Sequence, residues 1–193
     1  MKITDIITAE KPSLSFEVFP PKTSDNFDTV EKAALEIADL KPSFMSVTYG
    51  AGGGTSQFTA DISEHILNRG VTPLAHLTCI SSTGEAVKNQ LKLLKEKGIE
   101  NILALRGDIL PDTDLSKSDY RYASDLTKEI ADFGGFCIGG ACYPECHPDS
   151  PDSESDIESL KIKAESGCQF FTTQMFFDNN ILYNFMYRLL RRG

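Results

Sequence analysis

Residues 14–22 read LSFEVFPPK, and the fold is decided by how this stretch is read. Strand alternation puts Phe16 and Val18 on one face and Ser15, Glu17 and Phe19 on the other. Pro20 and Pro21 then end the strand, because neither has an N–H to give to a ladder. A lone carboxylate, Glu17, is thereby expected near a strand end among apolar neighbours. Poor hydration in such a place would suit Glu17 to hand over a proton. The competing reading is a strand-end glutamate that simply reaches solvent.

The same punctuation recurs downstream. Strands are predicted at 14–19, 44–48, 72–77, 101–105, 136–141 and 169–173, with starts every 28 to 35 residues. That interval is the length of a βα unit. Between the strands, apolar residues recur at helical spacing over 26–40, 55–69, 82–97, 122–133, 155–166 and 180–192. Ser24 or Asp25 is the expected cap of the first helix. Several helices stop at glycine, as at Gly70, Gly98, Gly134 and Gly167. Six βα units in succession predict a parallel sheet covered by helices. An open doubly wound sheet would carry G-x-G-x-x-G after its first strand, and none is present. The regular period and the polar strand ends favour a (β/α)8 TIM barrel, of which this chain covers about the first six units. Residues 1–193 are accordingly expected to form one incomplete barrel domain, with no second domain. The first and sixth strands would both be unpaired edges.

Composition sets further bounds. The chain has 193 residues, 40% hydrophobic and 24% charged, with a net charge of −9. An acidic chain with no basic stripe is a poor nucleic-acid binder. No apolar run has the length of a membrane helix, and the N-terminus lacks the apolar core of a signal peptide. Five cysteines, an odd number, fit reduced thiols and a cytoplasmic location. Cys142, Cys146 and His147 invite a metal reading, but C-x3-C-H has no second pair downstream, and no metal is expected.

The strand ends carry Glu17, Thr48, Tyr49, His76, Arg106, Gly107, Asp108, Tyr143, Glu145, His147 and Gln174. Each has a plain structural alternative: a satisfied histidine, a local Arg106–Asp108 ion pair, or Gln174 as a helix cap. Polar side chains at all six ends, however, converge on one mouth and make a site. No Ser or Cys nucleophile with a His–Asp pair is evident, nor a strand-end lysine for a Schiff base. The glycine-rich run 50–54 offers close backbone approach to a ligand. One acid among many binders suits chemistry done by a bound cofactor. A flavin-free barrel lyase using Glu17 as base and an inactive interaction fragment are the alternatives.

Six motifs then carry a resemblance. FEVFPPK (16–22), SVTYGAGG (46–53), AHLTC (75–79), LALRGD (103–108), YPECHP (143–148) and TQMFFD (173–178) occur in order, each at a predicted strand end. Together they resemble the methylenetetrahydrofolate reductase family. The resemblance implies a (β/α)8 barrel holding FAD. It implies ping-pong transfer of a hydride from NADH or NADPH to 5,10-methylenetetrahydrofolate, giving 5-methyltetrahydrofolate. Small-molecule substrates would be the partners, with homo-oligomerisation left open. Glu17 matches the family's general acid. Asp108 matches an aspartate that contacts the pterin near the flavin. Gln174 matches a glutamine serving both folate and nicotinamide, and Thr48 a contact on the nicotinamide side. Tyr49, Ala51, His76, Arg106, Gly107, Tyr122, Ala123, Tyr143, His147, Asp156 and Lys163 match flavin-binding positions. The chain departs from the family at Ser159, Ile162 and Met175, where asparagine, arginine and phenylalanine are usual, and its loop after Asp108 looks longer.

Overall fold

The computed structural model describes residues 1–8, 11–21, 23–49, 56–109 and 115–193. All six predicted strands form: β1 (Ser15–Val18), β2 (Phe44–Val47), β3 (Thr72–Thr78), β4 (Asn101–Leu105), β5 (Cys137–Cys142) and β6 (Phe170–Thr173). They make one sheet in chain order, and every neighbouring pair is parallel. The sheet curls into six strands of a (β/α)8 barrel. Helices α2 (Phe27–Ala38), α3 (Ser56–Asn68), α4 (Gly84–Glu96), α5 (Ala123–Phe133), α6 (Ser153–Glu165) and α7 (Asn179–Arg192) alternate with the strands.

Local chemistry explains the helix ends. Thr83 Oγ1 accepts the Ala86 N–H at 3.2 Å and starts α4, and Gly98 at φ +74° follows its end. Asp152 Oδ1 accepts the Ser155 N–H at 2.7 Å, so α6 begins two residues before the predicted position. A turn of 3-10 helix, Ser24–Asn26, precedes α2, and neither Ser24 nor Asp25 is its cap. The strand β1 stops at Val18 rather than reaching Phe19, which is exposed.

The register sorts the side chains onto two faces. Met45, Val47, Ala75, Leu77, Ile102, Ala104 and Ile138 point outward and are buried under the helices. On the inner face Glu17 pairs with Ser46, Ser46 with Leu74, and His76 with Leu103. Leu103 pairs with Gly139, and Gly139 with Phe170. A Cβ on Gly139 would lie 2.4 Å from the Phe170 ring, so the aromatic ring occupies the space that a side chain there would need. Leu74, Leu103, Cys137 and Phe170 form an inner core cluster with Ile3.

Ile3 belongs to an element not predicted from sequence, the short helix α1 (Ile3–Ile7). Five residues are too few for periodicity to register. The helix is held from outside itself. Ile3 is fully buried, and its N–H donates to Asn101 Oδ1 at 2.8 Å. Asn101 Nδ2 donates in turn to Pro73 O and Met1 O. These contacts close the end of the arc where the strands begin, leaving the opposite end as the mouth.

Candidate functional site

Because all strands run the same way, their C-terminal ends meet at one mouth, which is where barrels carry their chemistry. Two groups of polar residues lie there. The first spans β1 to β3. Ser46 Oγ donates to Glu17 Oε2 at 3.2 Å, and His76 Nε2 lies 3.5 Å from the same oxygen. His76 is buried, and burial pulls its pKa down to about 4. The imidazole is therefore neutral at pH 7, and its approach to Glu17 is not an ion pair. Among the described residues His76 Nε2 has no hydrogen-bond partner.

The expected apolar surroundings of Glu17 are not found. Its side chain is 47% exposed, and its inner-face neighbours are a serine and a histidine. In the described sheet β1 pairs with β2. The apolar Phe16 and Val18 lie on the other face, against α2 and α3.

The second group spans β4 to β6. Arg106 pairs with Asp149 at 2.7 Å, not with Asp108, and its Nε donates to Gly107 O. The Asp149 N–H donates to His147 Nδ1 at 3.0 Å, and the His147 N–H to Asp156 Oδ2 at 3.1 Å. The Tyr143 and His147 rings meet edge-on at 4.5 Å. Lys163 reaches under the strand end and donates to Ala141 O at 2.9 Å. Burial lowers the Lys163 pKa, opposed by the nearby Asp156 carboxylate. Burial raises the Tyr143 phenol, and the charge of Asp108 adds to that. Asp108 is thus within electrostatic reach of Tyr143, and it is exposed at the mouth. The Gln174 N–H donates to Cys142 O at 2.7 Å, adding one rung to the β5–β6 ladder. Gln174, with Tyr143, Pro144, Glu145, Cys146, Pro148 and Met175, lines a half-open cavity of ≈ 320 Å³. Gln174 does not cap α7, whose cap is Asp178.

The remaining predicted residues are more scattered. Thr48 continues the β1–β2 ladder by donating its N–H to Val18 O, and the half-buried Tyr49 packs against the outer core. Gly107 sits at φ +89°, where a Cβ would also approach Ile80 to 2.9 Å. Tyr122 and Ala123 begin α5, with Tyr122 exposed and Ala123 buried. Cys79 Sγ contacts both Tyr122 O and Arg106 O, joining the start of α5 to the end of β4. Ala51 and the glycine-rich run lie outside the described residues.

Sequence reasoning gave no role to Ser46 or Asp149, because a strand serine and a loop aspartate carry no local signal. Burial pushes the Cys79 thiol up to about 12 and those of Cys142 and Cys168 up to about 11, so these are packed, unreactive thiols. Among the described residues, no three His, Cys, Asp or Glu side chains gather as a metal site. Among the same residues no helix is long and apolar enough to cross a membrane.

The family model for methylenetetrahydrofolate reductase matches residues 2–193. The 5,10-methylenetetrahydrofolate reductase of Pectobacterium carotovorum subsp. carotovorum is 39% identical over 182 residues, covering 94% of this chain and 60% of the relative. That of Escherichia coli (strain K12) is 38% identical over 185 residues, again covering 94% and 60%. Methylenetetrahydrofolate reductase 1 of Schizosaccharomyces pombe is 40% identical over 188 residues, covering 92% of this chain and 31% of the relative. The chain thus spans about 60% of the length of the bacterial relatives it matches. Among solved structures, a Clostridium thermocellum protein that binds two copies of 5-methyl-5,6,7,8-tetrahydrofolic acid superposes with a TM-score of 0.70 at 14% identity, covering 100% of this chain and 64% of that one. Oxaloacetate acetylhydrolase superposes at 0.65 with 13% identity, covering 97% and 67%. At such identities the likeness is one of fold. The family match over nearly the whole chain, with relatives near 40% identity, is of another order, and the chain belongs to the methylenetetrahydrofolate reductase family.

Proposed function

We propose that the protein reduces 5,10-methylenetetrahydrofolate to 5-methyltetrahydrofolate with NADH or NADPH, in a ping-pong scheme through bound FAD. In this proposal residues 1–193 supply six units of a single (β/α)8 catalytic domain. The observation that carries it is the meeting of Glu17 with Ser46 and His76 at the same strand-end mouth that bears Asp108, Tyr143 and Gln174.

The residues present fit a large anionic ligand with a flat ring. Arg106 and Lys163 place positive charge at the mouth of an acidic chain. Gly107 follows Arg106 at φ +89°, a backbone conformation that suits glycine. His76 offers a buried ring nitrogen without a partner among the described residues. FAD, when bound, would supply the redox chemistry that links nicotinamide to folate. The protein's own part is acid catalysis and positioning. Glu17 passes its proton to the folate nitrogen of the methylene bridge. That carbon–nitrogen bond then breaks, leaving an iminium at the other nitrogen. Asp108 contacts the pterin, and its charge acts on the ring system beside it. Gln174, with an amide that both donates and accepts, serves folate and nicotinamide in turn. Thr48 lies on the nicotinamide side. Tyr49, Ala51, Tyr122, Ala123, Tyr143, His147 and Asp156 complete the flavin contacts.

An absorption spectrum of the purified protein tests the proposal. Flavin bands bleached by NADH are expected. Glu17→Gln should keep that bleaching and abolish reoxidation by methylenetetrahydrofolate. A colourless protein that takes up no FAD, or a Glu17→Gln variant that still reduces folate, would overturn it.

A further inference from the structure

Glu17 has a hydrogen-bond partner that the mechanism above leaves unused. Ser46 is its direct neighbour in the β1–β2 register and donates Oγ–H to Glu17 Oε2 at 3.2 Å. Ser46 is 8% exposed, so its hydroxyl needs a partner, and a carboxylate oxygen is a strong acceptor. From β3, His76 Nε2 stands 3.5 Å from the same Oε2. His76 is neutral at pH 7, so nothing charged faces the carboxylate from β2 or β3. Both contacts fall on one oxygen. Among the described residues, none is made to Oε1.

This asymmetry has a chemical consequence. The terminal torsion of a glutamate is broad and two-fold, so a free carboxylate presents either oxygen to a substrate. A proton donor works through one oxygen at one distance, and misplacement costs rate. We propose that Ser46 is a positioning residue for the acid. Its hydroxyl fixes Oε2 against the barrel wall, so that Oε1 faces the mouth as the oxygen that passes the proton. Serine suits the place because it is small enough for the inner face and carries a donor. The proposal rests on Glu17 being the acid.

Threonine and valine share a shape and differ by one hydroxyl, so they separate hydrogen bonding from packing. Protein labelled with carbon-13 at the glutamate carboxyl gives a Glu17 resonance, identified by its loss in Glu17→Gln. At pH 7, Ser46→Val is expected to shift and broaden that resonance, and Ser46→Thr to keep it near its original position. In the flavin-loaded protein, Ser46→Val should lower kcat for folate reduction roughly 10–100-fold with little change in KM, while Ser46→Thr stays within a few-fold. If valine disturbs folding, Ser46→Ala against the unaltered protein reads the same resonance. Identical Glu17 resonances and rates for the threonine and valine variants of an active enzyme would overturn the positioning role alone. Resonances that differ in a protein that takes up no FAD would instead overturn the reductase reading, and the role with it.

Discussion

The Asn101 carboxamide oxygen accepts the Ile3 N–H at 2.8 Å across 98 positions of sequence. Its Nδ2 donates to Pro73 O at 3.2 Å, so one buried side chain joins α1, β3 and β4. The end of the barrel away from the mouth is held by this residue. Asn101→Leu would leave the Ile3 N–H and the Pro73 carbonyl without their partner. An orphaned buried polar group costs about 1–3 kcal/mol, and a total loss of roughly 2–4 kcal/mol is expected in urea unfolding. The Ile3 amide should lose its protection from hydrogen exchange. If that amide stays protected, Asn101 is not what holds α1.

Gly139 and Phe170 form a second constraint, a glycine under a ring. Gly139→Ala puts a methyl where the Phe170 ring lies, at 2.4 Å. Overpacking of this kind costs about 1–3 kcal/mol. Combining it with Phe170→Leu, which removes the ring, should cost less than the two single changes added together. Strict additivity in a denaturation cycle would show that the ring is not the obstacle.

His76 makes stability depend on pH. It is held neutral down to about pH 4 by burial, whereas an unfolded histidine titrates near pH 6.5. Between these values the unfolded chain binds the extra proton, so stability rises with pH there. The contribution is complete above about pH 6.5 and is lost as the pH falls through about 4. It amounts to about 3 kcal/mol. Urea unfolding of His76→Gln at pH 7, 5.5 and 4.5 should show a weaker decline than the unaltered protein. Parallel declines would mean that His76 does not protonate on unfolding.

Asp149 competes for the cation that an anionic ligand would use. Arg106 holds the Asp149 carboxyl below the ordinary carboxylate range. A depressed carboxylate keeps its link at neutral pH and loses it only as pH falls through that lowered value. Asp149→Asn is expected to free Arg106 and tighten FAD binding several-fold, measured by quenching of flavin fluorescence on titration. The gain should shrink in high salt. Weaker binding in Asp149→Asn would show that the Arg106–Asp149 pair holds Arg106 in place for the ligand rather than masking it.

The legible parts of this protein are those with short-range causes. Val87, Leu91 and Leu94 define α4 by spacing alone, and Gly98 stops it because a glycine takes the left-handed turn most easily. The inward side of β1 was legible by alternation, which put Glu17 opposite Val18. The hydration of Glu17 was not legible. Flanking phenylalanine and valine suggested a dry site, yet alternation sends those side chains to the helix layer. The partner of Arg106 was not legible for a similar reason: the alternative of a local pair offered Asp108, near in sequence, but Asp149 arrives from the loop before α6.

By itself the sequence determined the rhythm of six strand–helix units, their parallel order and the family that the motifs mark. Those features follow from periodicity, capping and stop residues, which act within a few positions. The tertiary structure alone decided that Ser46 faces Glu17, that Asn101 anchors α1, and that Asp149 takes Arg106. Each of these joins residues 29 to 98 positions apart, and such pairs are chosen by sheet register and loop path, which no local pattern encodes.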